Sequence, residues 1–173
     1  MDARSNSGPL PVDERHVLAS ADELAELYEP PSERALLKVI DHLDEHCRAF
    51  IAASPFVVLA TSGSRGADCS PRGDRPGFAR VADPGTLLLP DRRGNNRLDS
   101  LRNILENPAV GLLFLVPGVD ETLRVNGRAR ISRDPALREG FSVDGKAPTA
   151  VLVVAVEEAF IQCSKSLVRS GLW

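Results

Sequence analysis

From Pro55 onward the apolar residues of this chain come in short runs with a period of two, the signature of strands rather than helices. "FVVLATS", residues 56–62, is a β-branched run that ends in the turn-rich "SGSRG". "ADCSPRGD", 67–74, reads as extended at a sheet edge, with Pro71 and Gly73 expected to hinder regular pairing. "GFARVAD" alternates up to the turn "DPGT", and "TLLLPD" is the next strand, with a break expected at Pro90. "AVGLLFLVPG", 109–118, is apolar on both faces and predicts a central strand. "ETLRVNGRARISRD" alternates polar and apolar over a long, half-exposed span, and "APTAVLVVAVEEAFIQC" is the last strand.

Helical spacing is limited to a few short stretches. Asp22 to Tyr28 reads as a short helix that Pro30 and Pro31 end. A second helix is expected from Ser32 and Glu33, burying Ala35, Leu36, Val39, Ile40 and Leu43 and exposing Lys38, Asp41, Asp44 and Glu45. A third begins near Leu98 and stops near Asn107-Pro108. "PALREGF" is a short helix, and "SKSLVRSGLW" a helical or irregular tail. Most strands follow one another with no helix between them, which does not argue for a parallel βαβ sheet. The fold class expected is mainly β with flanking helices: a small, partly open antiparallel barrel of about six strands. Residues 1–15 are expected to be a flexible N-terminal arm, and 16–173 a single domain including the N-terminal helices and a C-terminal active-site segment.

Composition narrows the function. The net charge is -3 and the pI about 5.6, which disfavours non-specific nucleic-acid binding. The apolar runs are too short to span a bilayer, and the N-terminus has no apolar signal core, so a cytoplasmic protein is expected. Cys47, Cys69 and Cys163 lack metal-type spacing and read as free thiols. His42 and His46 are four apart, but no third ligand is suggested nearby and a solvated helix face explains them better. Neither Cys47 nor Cys69 has a readable partner for nucleophilic catalysis.

Four segments carry candidate chemistry. "DRRGNNRLDSLRNILENP", 91–108, places Arg92, Arg93 and Arg97 as charged forks, with Asn95 and Asn96 as neutral donors, before a helix N-terminus. Charge, geometry and dipole would there meet a terminal phosphate together. The plainer alternative is a turn in which Asn95 or Asn96 caps the helix and the arginines face water. In "CSPRGDRPGF", Ser70, Arg72 and Asp74 alternate on one side, and a Pro- and Gly-bearing edge can approach a flat ring closely. The embedded Arg-Gly-Asp is read as chance. "ETLRVNGRAR" aligns Thr122, Arg124 and Asn126 on one face, with Gly127 permitting close backbone approach. "CSKSLVRSGLW" concentrates Lys165, Arg169 and the single tryptophan, Trp173, in a segment able to close over an anionic planar ligand or to fray at the surface.

Taken in order, "SPRGD", "LLPDRRGNNRLDSLRNILENPAVGLLFLVPG", "ETLRVNGRARIS" and "CSKSLVRSGLW" resemble the pyridoxamine 5′-phosphate oxidase-like family of FMN-binding split barrels, over about Glu33 to Trp173. More narrowly, the chain is similar to a subgroup of FMN-dependent enzymes of unassigned substrate. The resemblance implies a homodimer with FMN at the subunit interface. It implies that Cys69, Ser70, Pro71, Arg72, Gly73 and Asp74 run along the flavin ring and ribityl chain, mostly through backbone groups. It sets Leu89 and Pro90 at the strand end touching the flavin, and Asn95, Asn96 and Arg97 on the phosphate. Thr122 becomes a polar flavin contact, and Lys165, Arg169 and Trp173 the segment that reaches the active site. The chain departs from the family where Asn-Asn-Arg replaces a Ser-Arg-Lys phosphate motif, and the family's substrate-phosphate residues have no counterpart, so vitamin B6 oxidation is not supported. Gln162 stands where the subgroup more often has His, and the chain stops at Trp173, either of which is expected to alter the active-site lid. An FMN-dependent oxidoreductase acting on a small molecule is the expectation. A non-catalytic binder or sensor of FMN, haem or another flat anion, or an F420-dependent reductase, is the competing class, and NAD(P)H turnover would separate enzyme from binder.

Overall fold

The alternation read from the sequence builds one antiparallel sheet of seven strands among the described residues, 12–173, of a computed structural model. The strands are β1 (Phe56–Gly63), β2 (Gly66–Gly73), β3 (Arg80–Asp83), β4 (Thr86–Asp91), β5 (Ala109–Leu115), β6 (Thr122–Ser132) and β7 (Ala150–Gln162). Their order is β2-β1-β5-β6-β7-β4-β3, so the sheet does not close and β2 and β3 are its edges. The expected class, mainly β and partly open with flanking helices, is the one observed. Seven strands replace the six or so expected.

One face of the sheet makes the core. Val57 and Leu59 of β1, Leu87 and Leu89 of β4, Leu112 and Phe114 of β5, Leu123 and Val125 of β6, and Leu152 and Val154 of β7 are buried there. α3 (Glu45–Ala53) adds Cys47 and Ile51, and α4 (Asp99–Glu106) adds Ile104. Burial without a compensating charge pushes the Cys47 thiol up to about 11, so it is an inert core group. β5 is central as expected, and Gly111, Leu113 and Leu115 on its outer side are only half-buried.

The close approach anticipated at Gly127 is real. β7 carries a bulge opposite Asn126 and Gly127, which brings the Ala155 carbonyl to where a Gly127 Cβ would stand. That atom is backbone in the middle of the sheet and cannot turn aside. Gly127→Ala is expected to destabilise the protein by about 1–3 kcal/mol, the usual range for overpacking, measured as a lower urea midpoint. An unchanged midpoint would mean that β7 slides freely.

Three expectations need correction. β2 pairs with β1 without interruption from Gly66 to Gly73, and Pro71 sits in register with Val58. As an edge strand β2 can lack an N–H on its open side, so proline does not disturb the ladder. Nor does β4 break at Pro90, which pairs with Val151 before the strand ends at Asp91. Pro90 lies beyond the last β3 partner, Arg80↔Leu88, where β4 has a neighbour on one side only.

The second N-terminal helix is the third. α2 covers only Glu33–Leu37, and Leu36 and Val39 are exposed. Ile40 leaves helical geometry to bridge Ala159, and the Leu43 N–H donates to the Pro84 carbonyl. Asp44 accepts from the Cys47 N–H at 2.8 Å and caps a separate helix, α3. The three-and-four spacing therefore straddled two helices and a bridge. His42 precedes α3 and bonds Asp41, and among the described residues no group of three metal-ligating side chains gathers.

The chain divides into two units, one ahead of Leu37 and one from Leu37 to Trp173. The first holds α1 (Ala21–Leu27), capped by Ser20, close to the expected bounds. The arm expected over residues 1–15 lies outside the described residues up to residue 11, and a single 3-10 turn, Glu14–His16, follows. α5 (Pro135–Gly140) and α6 (Lys165–Ser170) match the two remaining short helices. No described helix is long and apolar enough to cross a membrane.

Candidate functional site

The cationic loop lies between β4, which ends at Asp91, and α4, which begins at Asp99. α4 is fixed against the β1–β2 hairpin by side-chain amides. Asn103, 2% exposed, donates to Thr61 Oγ1 at 3.1 Å and to Asp68 Oδ2 at 2.7 Å. Asn107 donates to Ser62 Oγ, and Glu106 accepts from the Ser64 N–H. A helix so anchored presents its N-terminus at a defined place.

That N-terminus is uncapped. Leu98 occupies the cap position in left-handed geometry (φ 60°) and offers no side-chain bond. Asn95 accepts from the Arg97 N–H at 3.1 Å, which closes the loop on itself. The capping alternative is thus not met, and the first-turn N–H groups of α4 are left to water or a ligand. Asn96 is also left-handed (φ 58°). Asn tolerates that region, whereas a leucine there is strained, as residues at ligand clamps often are.

Two adjoining clefts meet at this loop. One, of about 210 Å³, runs from Asp91, Arg92 and Arg93 to Thr149 and Ala150. The other, of about 330 Å³, lies between Asp68–Arg72 of β2 and Arg97–Ser100. Arg72, Asn95, Arg97 and Leu98 border both. Ser100 borders the second and is 2% exposed, and its hydroxyl has no partner among the described residues. A buried hydroxyl without a bond costs about 1–3 kcal/mol, which an acceptor at the helix terminus would recover. Sequence reading passed over Ser100. Its one signal is a hydroxyl in the first turn of the helix that follows the cationic run.

The cations differ in how far they are occupied. Arg97 Nε bonds Asp99 at 2.7 Å, with the arginine side chain 77% exposed, so the pair is weak and easily redirected. Each partner holds the other charged: Asp99 raises the Arg97 guanidinium, and Arg97 lowers the Asp99 carboxyl. Arg72 stands 4.0 Å from Asp91, too far for a hydrogen bond. Burial raises the Asp91 carboxyl above the ordinary range, and the Arg72 charge draws it partly back. Arg92 is engaged, donating to Asp74 at 2.9 Å and to the Phe141 carbonyl at 2.6 Å. Arg93 is exposed.

The structure gathers Cys69, Ser70, Pro71, Arg72, Asn95 and Arg97 around the second cleft, and adds Asn96 at the first. Gly73 ends β2, and Asp74 is turned to Arg92. Leu89 is 0% exposed, its side chain in the core, so only its backbone can meet a ligand. Pro90 is buried beside it. Thr122, 6% exposed, faces Gln162 at 3.4 Å and borders neither cleft. Lys165, Arg169 and Trp173 border neither. Arg169 bonds the Lys165 carbonyl, and Trp173 Nε1 donates to Val119 O at 2.8 Å.

The pyridoxamine 5′-phosphate oxidase family model matches residues 43–163. Among solved structures, HupZ of group A Streptococcus is 19% identical, with TM-score 0.56 over 68% of this chain and 92% of that one. A Lactobacillus delbrueckii protein provisionally named a pyridoxamine 5′-phosphate oxidase is 22% identical, with TM-score 0.56 over 70% and 95%. An FMN-binding protein from Syntrophomonas wolfei is 14% identical, with TM-score 0.52 over 67% and 83%. At such identities the likeness is one of fold. No curated protein matches the chain.

Proposed function

The chain belongs to the pyridoxamine 5′-phosphate oxidase family, and from that premise we propose that it is an FMN-dependent oxidoreductase acting as a homodimer. The observation that carries the reading is the unpartnered Ser100 hydroxyl at an uncapped helix N-terminus, beside two arginines whose ion pairs are loose or exposed. That donor set suits a terminal phosphate monoester. Ser100, Arg97, Arg72 and the first-turn N–H groups of α4 would hold the phosphate, with Asn95 and Asn96 beside them. Cys69 to Gly73 and the backbone at Leu89 and Pro90 would line the ribityl chain and ring. FMN, when bound, supplies hydride transfer at its ring, and the protein supplies position and electrostatics.

The homodimer reading rests on the outer face of the sheet. Val58, Ala60, Gly111 and Leu113 line a shallow, mostly apolar recess of about 380 Å³, bordered by Arg124 and Gln162. A second copy would cover it. It would also offer a place for Lys165, Arg169 and Trp173, which do not border the clefts of their own chain. Light scattering at micromolar concentration should give about twice the 18.6 kDa chain mass. A mass of one chain would count against the dimer.

Titration with FMN should quench the flavin fluorescence, and the loaded protein should turn over NAD(P)H in the presence of an acceptor. Absence of quenching would overturn the FMN reading. Quenching without turnover for any donor would leave a flavin-binding protein and remove the oxidoreductase.

A further inference from the structure

We infer that the opening of the split sheet is fastened by the Asp74–Arg92 ion pair, beside a looser Arg72–Asp91 pair, and that Arg92 and Asp74 position the cofactor loop instead of touching the cofactor. This rests on the FMN reading of the clefts above.

The strand order leaves four strands between β2 and β4, so no backbone ladder joins them. Their ends meet through side chains. Arg72 lies near the end of β2, and Asp74 follows directly after the strand. Asp91 and Arg92 end β4 and begin the loop. The signs are crossed, Asp74 meeting Arg92 at 2.9 Å and Arg72 meeting Asp91 at 4.0 Å.

The two pairs are built differently. Asp74 is held from both sides: its N–H donates to the Pro55 carbonyl, and its second carboxylate oxygen accepts from the Arg75 N–H. Arg92 reaches on to the Phe141 carbonyl. Phe141 is itself 3% exposed beneath the Arg80 guanidinium, which bonds the Gly140 carbonyl. One arginine therefore ties the end of β2, the start of the loop and the end of α5.

Beyond it, Arg93, Gly94, Asn95 and Asn96 are exposed, and the side-chain bonds of the segment run only from Arg97 to Asn95 and Asp99. Arg92 is the last residue fixed from outside before α4. The looser pair leaves Arg72, which borders both clefts, with donors to turn toward an anion. Arg92 fastens and Arg72 answers the ligand.

The two roles open to Arg92 differ in the sign of one effect. If it touched the phosphate, Asp74→Asn would remove a competing carboxylate and tighten FMN binding. If it positions the loop through Asp74, the same variant weakens FMN binding, by about tenfold for a lost charged hydrogen bond. Arg92→Lys, which keeps the charge but not the fork, should do likewise, and the double variant should be no worse than either single. Hydrogen exchange at the bonded amides around the clasp and in its loop, Asp74, Thr149 and Arg97, should speed up about tenfold in both for the ligand-free protein, with the α3 and β5 amides unchanged. Tighter FMN binding in Asp74→Asn, or unaltered loop exchange in both variants, would overturn the proposal. If the wild-type protein bound no FMN, the functional reading would fall, while the exchange measurement would still decide whether the clasp orders the loop.

Discussion

Arg97→Ala is expected to weaken FMN binding about 10- to 100-fold, the range for one hydrogen bond to a charged group, and to leave riboflavin binding nearly unchanged. The side chain is largely exposed and its only bond is to Asp99, two residues on. The ligand-free protein therefore loses little, and the folded state should melt as before. A phosphate at the α4 terminus would offer the guanidinium a dianion in place of a solvated carboxylate. Riboflavin lacks that phosphate, so the ratio of the two losses isolates the contact. Equal losses for both ligands would mean that the loop does not hold the phosphate. Arg93→Ala, removing an exposed arginine of the same loop, serves as the control and should change either affinity little.

The strands were legible because their alternation reflects one buried face, and β5 stood out because both its faces are apolar. The positions of Pro71 and Pro90 misled, since a missing N–H matters only where a neighbouring strand needs it, and strand order is not written locally. The N-terminal helix was overextended for a similar reason. Ile40 and Leu43 do face the core, but through a bridge to Ala159 and a bond to Pro84, partners far along the chain. Within the site, the run of cations was plain to read and their division of labour was not. Arg92 and Arg97 look alike in sequence. One is bound to groups 18 and 49 residues away, the other to a neighbour. Side-chain contacts of that reach leave no periodic trace.

Ser100→Ala should separate stability from affinity more sharply than any arginine. In the ligand-free protein the hydroxyl is buried and has no partner among the described residues, so its removal relieves an unsatisfied polar group and places the best helix former in the first turn of α4. The thermal midpoint is expected to hold or rise, by an amount equivalent to about 0–1 kcal/mol. FMN affinity should fall by about 1.5–3 kcal/mol, because the hydroxyl's partner would be a charged phosphate oxygen. Riboflavin affinity should stay as it was. A structural serine gives the opposite pattern: were the hydroxyl held by a trapped water bridging buried groups, Ser100→Ala would lower the midpoint and leave both flavins bound as before. Calorimetry and flavin titration on the one variant decide between them. Stability and FMN affinity moving in opposite directions is the result that places Ser100 on the phosphate.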